Sequence, residues 1–189
     1  MSDAIDDPFD IKYRSPQLDD KLFADTIDYW MSASIGWYYD PTEIYIMGYK
    51  EAGDCLVNSV AEQKGTPDSL LFPIVFLYRH YIEIRLKSLL QDGSQLLDLE
   101  YNPKAEHRLS KLWSEVRKII TTLWPSGDKN ELRSIDLLIH QFEQVDPHST
   151  AFRYPKDLEG NNSLKIETPR VNLRNLKEVW ECQPKFDHL

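Results

Sequence analysis

One stretch limits what this chain can fold into more than any other: Thr66 to Gln91, TPDSLLFPIVFLYRHYIEIRLKSLLQ. It reads as a single long helix. Thr66 fits an N-cap, and Pro67 fits the first helical position, where its missing N–H costs nothing. Pro73 is expected to kink the first turns, and Gly93 to lie just past the end. At roughly 100° per residue, Ile74, Val75, Leu77, Tyr78, Tyr81, Ile82, Ile84, Leu86, Leu89 and Leu90 wrap most of the circumference. A helix this apolar belongs in the middle of a bundle. One sector differs: His80, Glu83, Lys87 and Gln91 fall together, with Arg79 at its margin. Arg79–Glu83 and Glu83–Lys87 are i,i+4 pairs, worth about 0.2–0.5 kcal/mol each on a solvated strip. The other reading of the same stripe is a polar pocket or interface, in which His80 moves protons near neutral pH.

Bulk properties narrow the function. The 189 residues fit one domain with a real core, and 41% hydrophobic with 28% charged residues is ordinary for a soluble globular chain. A net charge of −9 and a pI near 5.0 argue against a sequence-independent nucleic-acid coat, which needs many uncompensated Lys and Arg. An enzyme that meets RNA through a small local patch stays open. Cys55 and Cys182 make no disulfide framework, and no Cys/His spacing suggests zinc, so a reduced, cytoplasmic protein is expected. No N-terminal apolar run is present and charge breaks every long apolar stretch, so neither a signal peptide nor a membrane span is expected.

Along the chain, residues 1–17 read as an acidic flexible lead with Asp3, Asp6, Asp7 and Asp10, residues 18–183 as one helical-bundle domain, and 184–189 as a tail. Phe23, Ile27, Trp30 and Met31 are spaced for a helix from Leu18 to about Ser34. A second helix is expected from Asp40, as N-cap ahead of Pro41 and Glu43, to about Gln63. After the long central helix, Glu106 to Leu123 carries a helical stripe of Leu109, Leu112, Trp113, Val116, Ile119 and Ile120. Asp128 to Gln144 carries another, Ile135, Leu138, Ile139 and Phe142. Residues 151–155 (AFRYP) and 163–167 (SLKIE), either side of a turn at Gly160, suggest a small hairpin. A last helix is expected from Val171 to about Glu181. The expected fold is therefore all-α, a bundle of five to six helices with a small late β-hairpin.

The chemistry-bearing residues fall in four places. The central stripe offers His80, Glu83 and Lys87. His107 opens EHRLSKLW, where an exposed first-turn residue is the plainer reading. Arg153 and Tyr154, in DPHSTAFRYP, either line a groove or simply pack on the bundle. Arg133 and His140 stand two turns apart. With Arg133 at 0°, His140 falls at about 340°, while Ile135, Leu138 and Phe142 cluster at about 140–200°. The pair thus points away from the core, and Leu137 and Gln144 share its side. An arginine that clamps a phosphate oxygen and a histidine that transfers a proton are a usable pair for RNA cleavage. Gly-rich phosphate loops, G-x-S-x-G elbows and H-E-x-x-H helices are absent from the sequence.

YRHYIEIRLKSLL from Tyr78, HRLSKLW from His107 and the R-x6-H spacing of Arg133 and His140 together resemble HEPN-domain proteins (higher eukaryotes and prokaryotes nucleotide-binding). The resemblance spans about Thr66 to Gln144. It implies a HEPN-like helical bundle that pairs as a homodimer, of the prokaryotic defence or toxin–antitoxin type. In that family the arginine and histidine of the motif, here Arg133 and His140, form a composite site for metal-independent RNA cleavage, with no cofactor. Ser134 follows the arginine, where the commoner form carries Asn or Asp. RNA and a cognate antitoxin or defence-system partner protein are the implied partners. Two alternatives come from other classes: a catalytically inactive helical module binding a protein or nucleotide along His80, Glu83, Lys87, His107, Arg153 and Tyr154, and an acidic antitoxin or immunity protein whose surface mimics nucleic acid.

Overall fold

A computed structural model describes residues 15–23, 30–36, 38–101, 106–164 and 170–181. The chain divides into two compact units, Met1–Tyr39 and Asp40–Leu189, each described by itself. In the first unit, residues 15–23 and 30–36 carry turns and bends and no helix. The helix expected from Leu18 to Ser34 is not formed there, and its middle, 24–29, lies outside the described residues. A segment of that length holds a helix in water only when its apolar face is packed, because nucleation is costly. Most of the acidic lead and all of the 184–189 tail also lie outside the described residues.

The second unit is helical: α1 (Thr42–Ala61), α2 (Pro67–Leu96), α3 (Leu109–Leu123), α4 (Lys129–Val145) and α5 (Leu173–Glu181). α2 is the axis of the bundle. It packs against α1, α3 and α5, and α4 packs on α3. Its residues Ile74, Val75, Tyr78, Tyr81, Ile82, Leu86 and Leu90 are all buried, as a helix apolar around most of its circumference must be. Pro67 occupies its first turn and Pro73 lies inside it. At its start α1 is held by Asp40, whose Oδ1 accepts the Thr42 N–H at 2.8 Å. The hydrogen bonding from Thr42 lowers the Asp40 pKa below its ordinary value.

Two glycines set how closely helices approach α2. Gly53 of α1 lies against the Tyr78 ring, where an added Cβ would stand 3.3 Å from it. The Tyr78 hydroxyl donates to Asp54 at 2.6 Å, and Lys50 donates to the same carboxylate at 2.9 Å. Gly93 was expected beyond the end of α2. It is instead a buried residue inside it, because the helix runs on to Leu96. A Cβ at Gly93 would stand 2.4 Å from Cγ2 of Ile119. The glycine serves contact with α3 rather than chain reversal, and Asp98, at φ 53°, makes the left-handed turn after the helix.

α3 begins at Leu109, three residues later than its expected start. Glu106 precedes the helix, and its carboxylate accepts the N–H groups of His107 and Arg108 at 3.1 and 2.9 Å. Every stripe residue of α3, from Leu109 to Ile120, is buried. α4 opens on Asp128, whose side chain accepts the Asn130 N–H at 2.8 Å. Leu132, Ile135, Ile139 and Phe142 form its buried side. The late hairpin is not formed among the described residues. Residues 151–153 make a turn, and the only pairing there is one antiparallel bridge between Lys156 and Asn162. Asp157 closes that loop by accepting N–H groups of Glu159 and Asn161, with Gly160 at φ +85°. Ala151 and Phe152 are buried, which spends the first apolar stretch on the bundle rather than on strand pairing. Residues 165–169 lie outside the described residues. Among the described residues, no helix is long and apolar enough to cross a membrane.

Candidate functional site

The structure sorts the sequence-nominated residues into three settings. The first is the outer side of α4. Arg133 and His140 are both exposed there, opposite the buried Leu132, Ile135, Ile139 and Phe142. Leu137, 58% exposed, lies between them on the same side. Arg133 forms no ion pair among the described residues. His140 has one neighbour of note: Gln144 Nε2 stands 3.2 Å from its Nε2. With the amide N–H donating, the neutral imidazole carries its own proton on Nδ1. The two functional groups are separated by about 10 Å along the helix axis, a span that both side chains can reach across toward one phosphodiester.

Glu83, Lys87 and His107 form the second setting, and it is not the solvated strip that the i,i+4 spacing allowed. Arg79 and Glu83 are 0% and 3% exposed. Arg79 donates to Glu83 Oε2 at 3.1 Å, to the His107 carbonyl at 2.9 Å and to the Asp146 carbonyl at 3.2 Å, and its Nε lies 3.5 Å from the Asp146 carboxylate. Glu83 Oε1 accepts from Lys87 Nζ and from His107 Nδ1, each at 2.8 Å. Burial pushes the Glu83 carboxyl up, but the hydrogen bonds and charges of Lys87 and His107 outweigh it and hold the group below its ordinary value. Asp146 Oδ1 in turn accepts the N–H groups of Thr150 and Ala151 at 2.7 and 3.0 Å. The cluster therefore locks the middle of α2 to the start of α3 and the end of α4. Charges this deep persist only when every partner is in place.

His80, Arg153 and Tyr154 share the third setting, with rings the sequence reading had not singled out. The His80 imidazole meets the Tyr49 ring edge-on at 4.4 Å and stacks on Phe76 at 5.7 Å. Tyr49 neighbours Tyr45 at 6.4 Å. The Arg153 guanidinium lies 5.9 Å from the Phe76 ring centre and 5.6 Å from that of Tyr154. Burial lowers the His80 pKa, aided by the charges of Lys87, Arg79 and Arg153 and opposed by Glu83, which favours the neutral ring.

A groove of about 840 Å³ runs between α2 and α3, lined by Lys87, Leu97, Tyr101, Lys111, Lys118 and Ile119 among others. Its cations are engaged: Lys87 with Glu83, Lys111 with Glu106 at 3.0 Å, and Lys118 with Glu115 at 2.7 Å. Neither Arg133 nor His140 lines it. The N–H of Ser110 at the start of α3 donates to Glu143, which also pairs with Arg108. That helix end is already occupied by a carboxylate.

Sequence reasoning placed Arg133 and His140 on an outward helix face, where they are. Asp146, just past the expected end of that helix, carries no signal in the sequence that sets it beside Arg79. Sequence reasoning missed the ring series, although Phe72, Phe76 and His80 recur at i,i+4 and so share one side of α2. Comparison of the chain with protein-family models, with curated proteins and with solved structures finds no match.

Proposed function

We propose that this chain is a HEPN-like component of a prokaryotic defence or toxin–antitoxin system, and that as a homodimer it cleaves RNA without a metal ion through Arg133 and His140. One observation carries the reading. An arginine without an ion-pair partner among the described residues and a histidine share the exposed side of α4, with an exposed Leu137 between them. The midpoint of positions 133 and 140 falls beside Leu137. A two-fold axis crossing α4 at that point sets two copies of the helix antiparallel, with each Arg133 opposite the second copy's His140. Leu137 then supplies the apolar centre of the contact, and the two polar pairs flank it.

In this arrangement the 2′-oxygen of a ribose attacks the adjacent phosphorus as its proton passes to one imidazole. The P–O5′ bond breaks, and the leaving 5′-oxygen takes a proton from the second imidazole. Arg133 holds the non-bridging oxygens as charge builds on them. The products are a 2′,3′-cyclic phosphate and a 5′-hydroxyl.

The test is RNA cleavage by recombinant protein in excess chelator, with end-group analysis and mass in solution. Cleavage is expected to leave cyclic phosphate ends and to fall by about 10²–10⁴ in His140→Ala. Leu137→Glu is expected to give monomers that do not cut. Cleavage that is absent, or equal in wild type and His140→Ala, overturns the reading. The net charge of −9 favours one rival, an acidic antitoxin or immunity protein. A monomer indifferent to RNA is the outcome that rival requires.

A further inference from the structure

We propose that the surface series of rings shared by α1, α2 and the turn after α4 is a stacking platform for the bases of single-stranded nucleic acid. The rings run in unbroken succession: Tyr45, Tyr49, His80, Phe76, then the Arg153 guanidinium, then Tyr154. They come from three separate parts of the chain, so the fold assembles the series. Its two ends are open to solvent: Tyr45 is 55% exposed and Tyr154 56%. Phe72, one turn from Phe76 on the same side of α2, adds a ring at 43% exposure. Tyr49 and Phe76 are half-buried against the core, so they hold the series in place while the faces of Tyr45, Phe72 and Tyr154 stay open to a flat partner.

Charge selects among flat partners. The protein as a whole is acidic, yet the formal charge within the series is the Arg153 cation. Asp68, one turn before Phe72, is an exposed acid at the far edge of the series, whereas the acids Glu43, Asp54 and Glu83 are turned away or engaged. Glu43 and Asp54 of α1 lie roughly 180° around the helix from Tyr45 or nearly so. Glu43 pairs with Arg85 and Asp54 with Lys50, both at about the 2.8–2.9 Å of a close ion pair. Glu83 is buried among three donors. A cation between two tyrosine-rich ends suits a strand that alternates bases with phosphates, since each base has a face to stack and each linkage an anion to pair. The Arg153 side chain is also anchored, its Nε donating to the Ser149 carbonyl, so little freedom is lost on binding.

The platform takes single strands of either sugar and rests on the preceding reading only in that RNA would be the strand the site cuts, and the experiment separates the two ideas. Fluorescence anisotropy is measured with labelled single-stranded 12-mers of 2′-O-methyl RNA, which cannot be cut, of DNA, and of duplex. Single strands of either sugar are expected to bind more tightly than duplex, and adenine strands more tightly than uracil strands. Tyr45→Ala and Tyr154→Ala are each expected to weaken binding about 5- to 100-fold, the range of one lost base–ring stack. Tyr45→Phe is expected to keep it. Arg153→Ala should lower the salt slope by about one. Both tyrosines are exposed, so thermal melting should be unchanged and binding loss cannot be blamed on unfolding. A wild-type protein that binds no single strand, or alanine variants that bind as well as wild type, overturns the platform. Platform-dependent binding by a protein that cuts no RNA leaves the platform standing and removes the nuclease. Cleavage that persists with no effect of either tyrosine does the reverse.

Discussion

Arg79 is buried and its guanidinium reaches Glu83, Asp146 and the His107 carbonyl, whereas Arg133 is exposed and reaches no described carboxylate. Both are accompanied by a histidine. His107 gives its Nδ1 proton to a buried acid, while His140 has only the Gln144 amide beside it. The residue types match and the surroundings do not. In the first region Arg79, Lys87 and His107 each donate to an acceptor inside the fold, so their charge is spent on the framework. In the second the fold supplies position and withholds partners. A buried ion cluster secures one arrangement of helices, and an exposed pair with no charged partner among the described residues is what a substrate or a second subunit can complete.

The largest expected effect comes from emptying the first region. Glu83→Ala leaves Arg79 buried with only Asp146 and two carbonyls against it, and Lys87 and His107 without an acceptor. Loss of about 3–5 kcal/mol of unfolding free energy is expected, the usual cost of breaking a buried pair from one side. Urea denaturation measures it. A loss below about 1 kcal/mol would make this cluster equivalent to a surface strip and erase the contrast with α4.

A smaller effect is expected where two helices touch. Gly93→Ala gains about 1 kcal/mol of helix propensity. It also drives a methyl group into Ile119, at a cost of about 1–3 kcal/mol when a packed core cannot give. The added Cβ would stand 2.4 Å from Ile119, so a net loss of about 1 kcal/mol is expected in the same denaturation series. Ile119→Ala removes the Cγ2 methyl that the new Cβ meets, so Gly93→Ala with Ile119→Ala should lose less than the two single changes summed.

Gly93 also marks the limit of what the sequence makes legible. Periodicity locates α3 and α4 well, because Leu109, Leu112, Trp113, Val116, Ile119 and Ile120 recur at helical spacing and all are buried. The same rule applied to glycine puts a helix end at Gly93, since a backbone with no Cβ suits a stop as well as a close crossing, and only the partner helix decides between them. The sector angle of Arg79 and Glu83 is readable, but not that α3 and the end of α4 cover it, because Asp146 lies 67 positions from Arg79. Arg133 and His140 are legible for the opposite reason: their outward direction depends on α4 alone. The late hairpin fails because Ala151 and Phe152 read equally well as strand and as residues that plug a bundle.

Acid sharpens the comparison further, with a smaller amplitude. Glu83 and His80 are both held below their ordinary values of 4.5 and 6.5. A group whose native pKa is depressed binds more protons when unfolded, so stability is full above the unfolded value and is lost as pH falls through the native one. Stability should therefore begin to fall below pH 6.5 through His80, and again below pH 4.5 through Glu83. Each step has a slope of at most one proton, about 1.4 kcal/mol per pH unit. The groups facing His80 are Glu83, Lys87, Arg79 and Arg153, with the Tyr49 and Phe76 rings. Unfolding curves in His80→Gln should lose the first step and keep the second.

The smallest expected effect on stability belongs to the exposed pair, and it is the one that separates scaffold from function. Arg133→Ala and His140→Ala remove side chains that contact nothing in the core, so unfolding free energy should stay within about 0.5 kcal/mol of wild type. The helix itself is anchored by Asp128 at its start and by four buried residues on its other side, none of which these changes touch. If the proposed cleavage is measured on the same preparations, activity should fall by orders of magnitude while the melting curve does not move. A variant that instead unfolds places Arg133 or His140 with Arg79, inside the framework. One that neither unfolds nor changes RNA cleavage shows that an exposed arginine and histidine can share a helix face and serve only solubility.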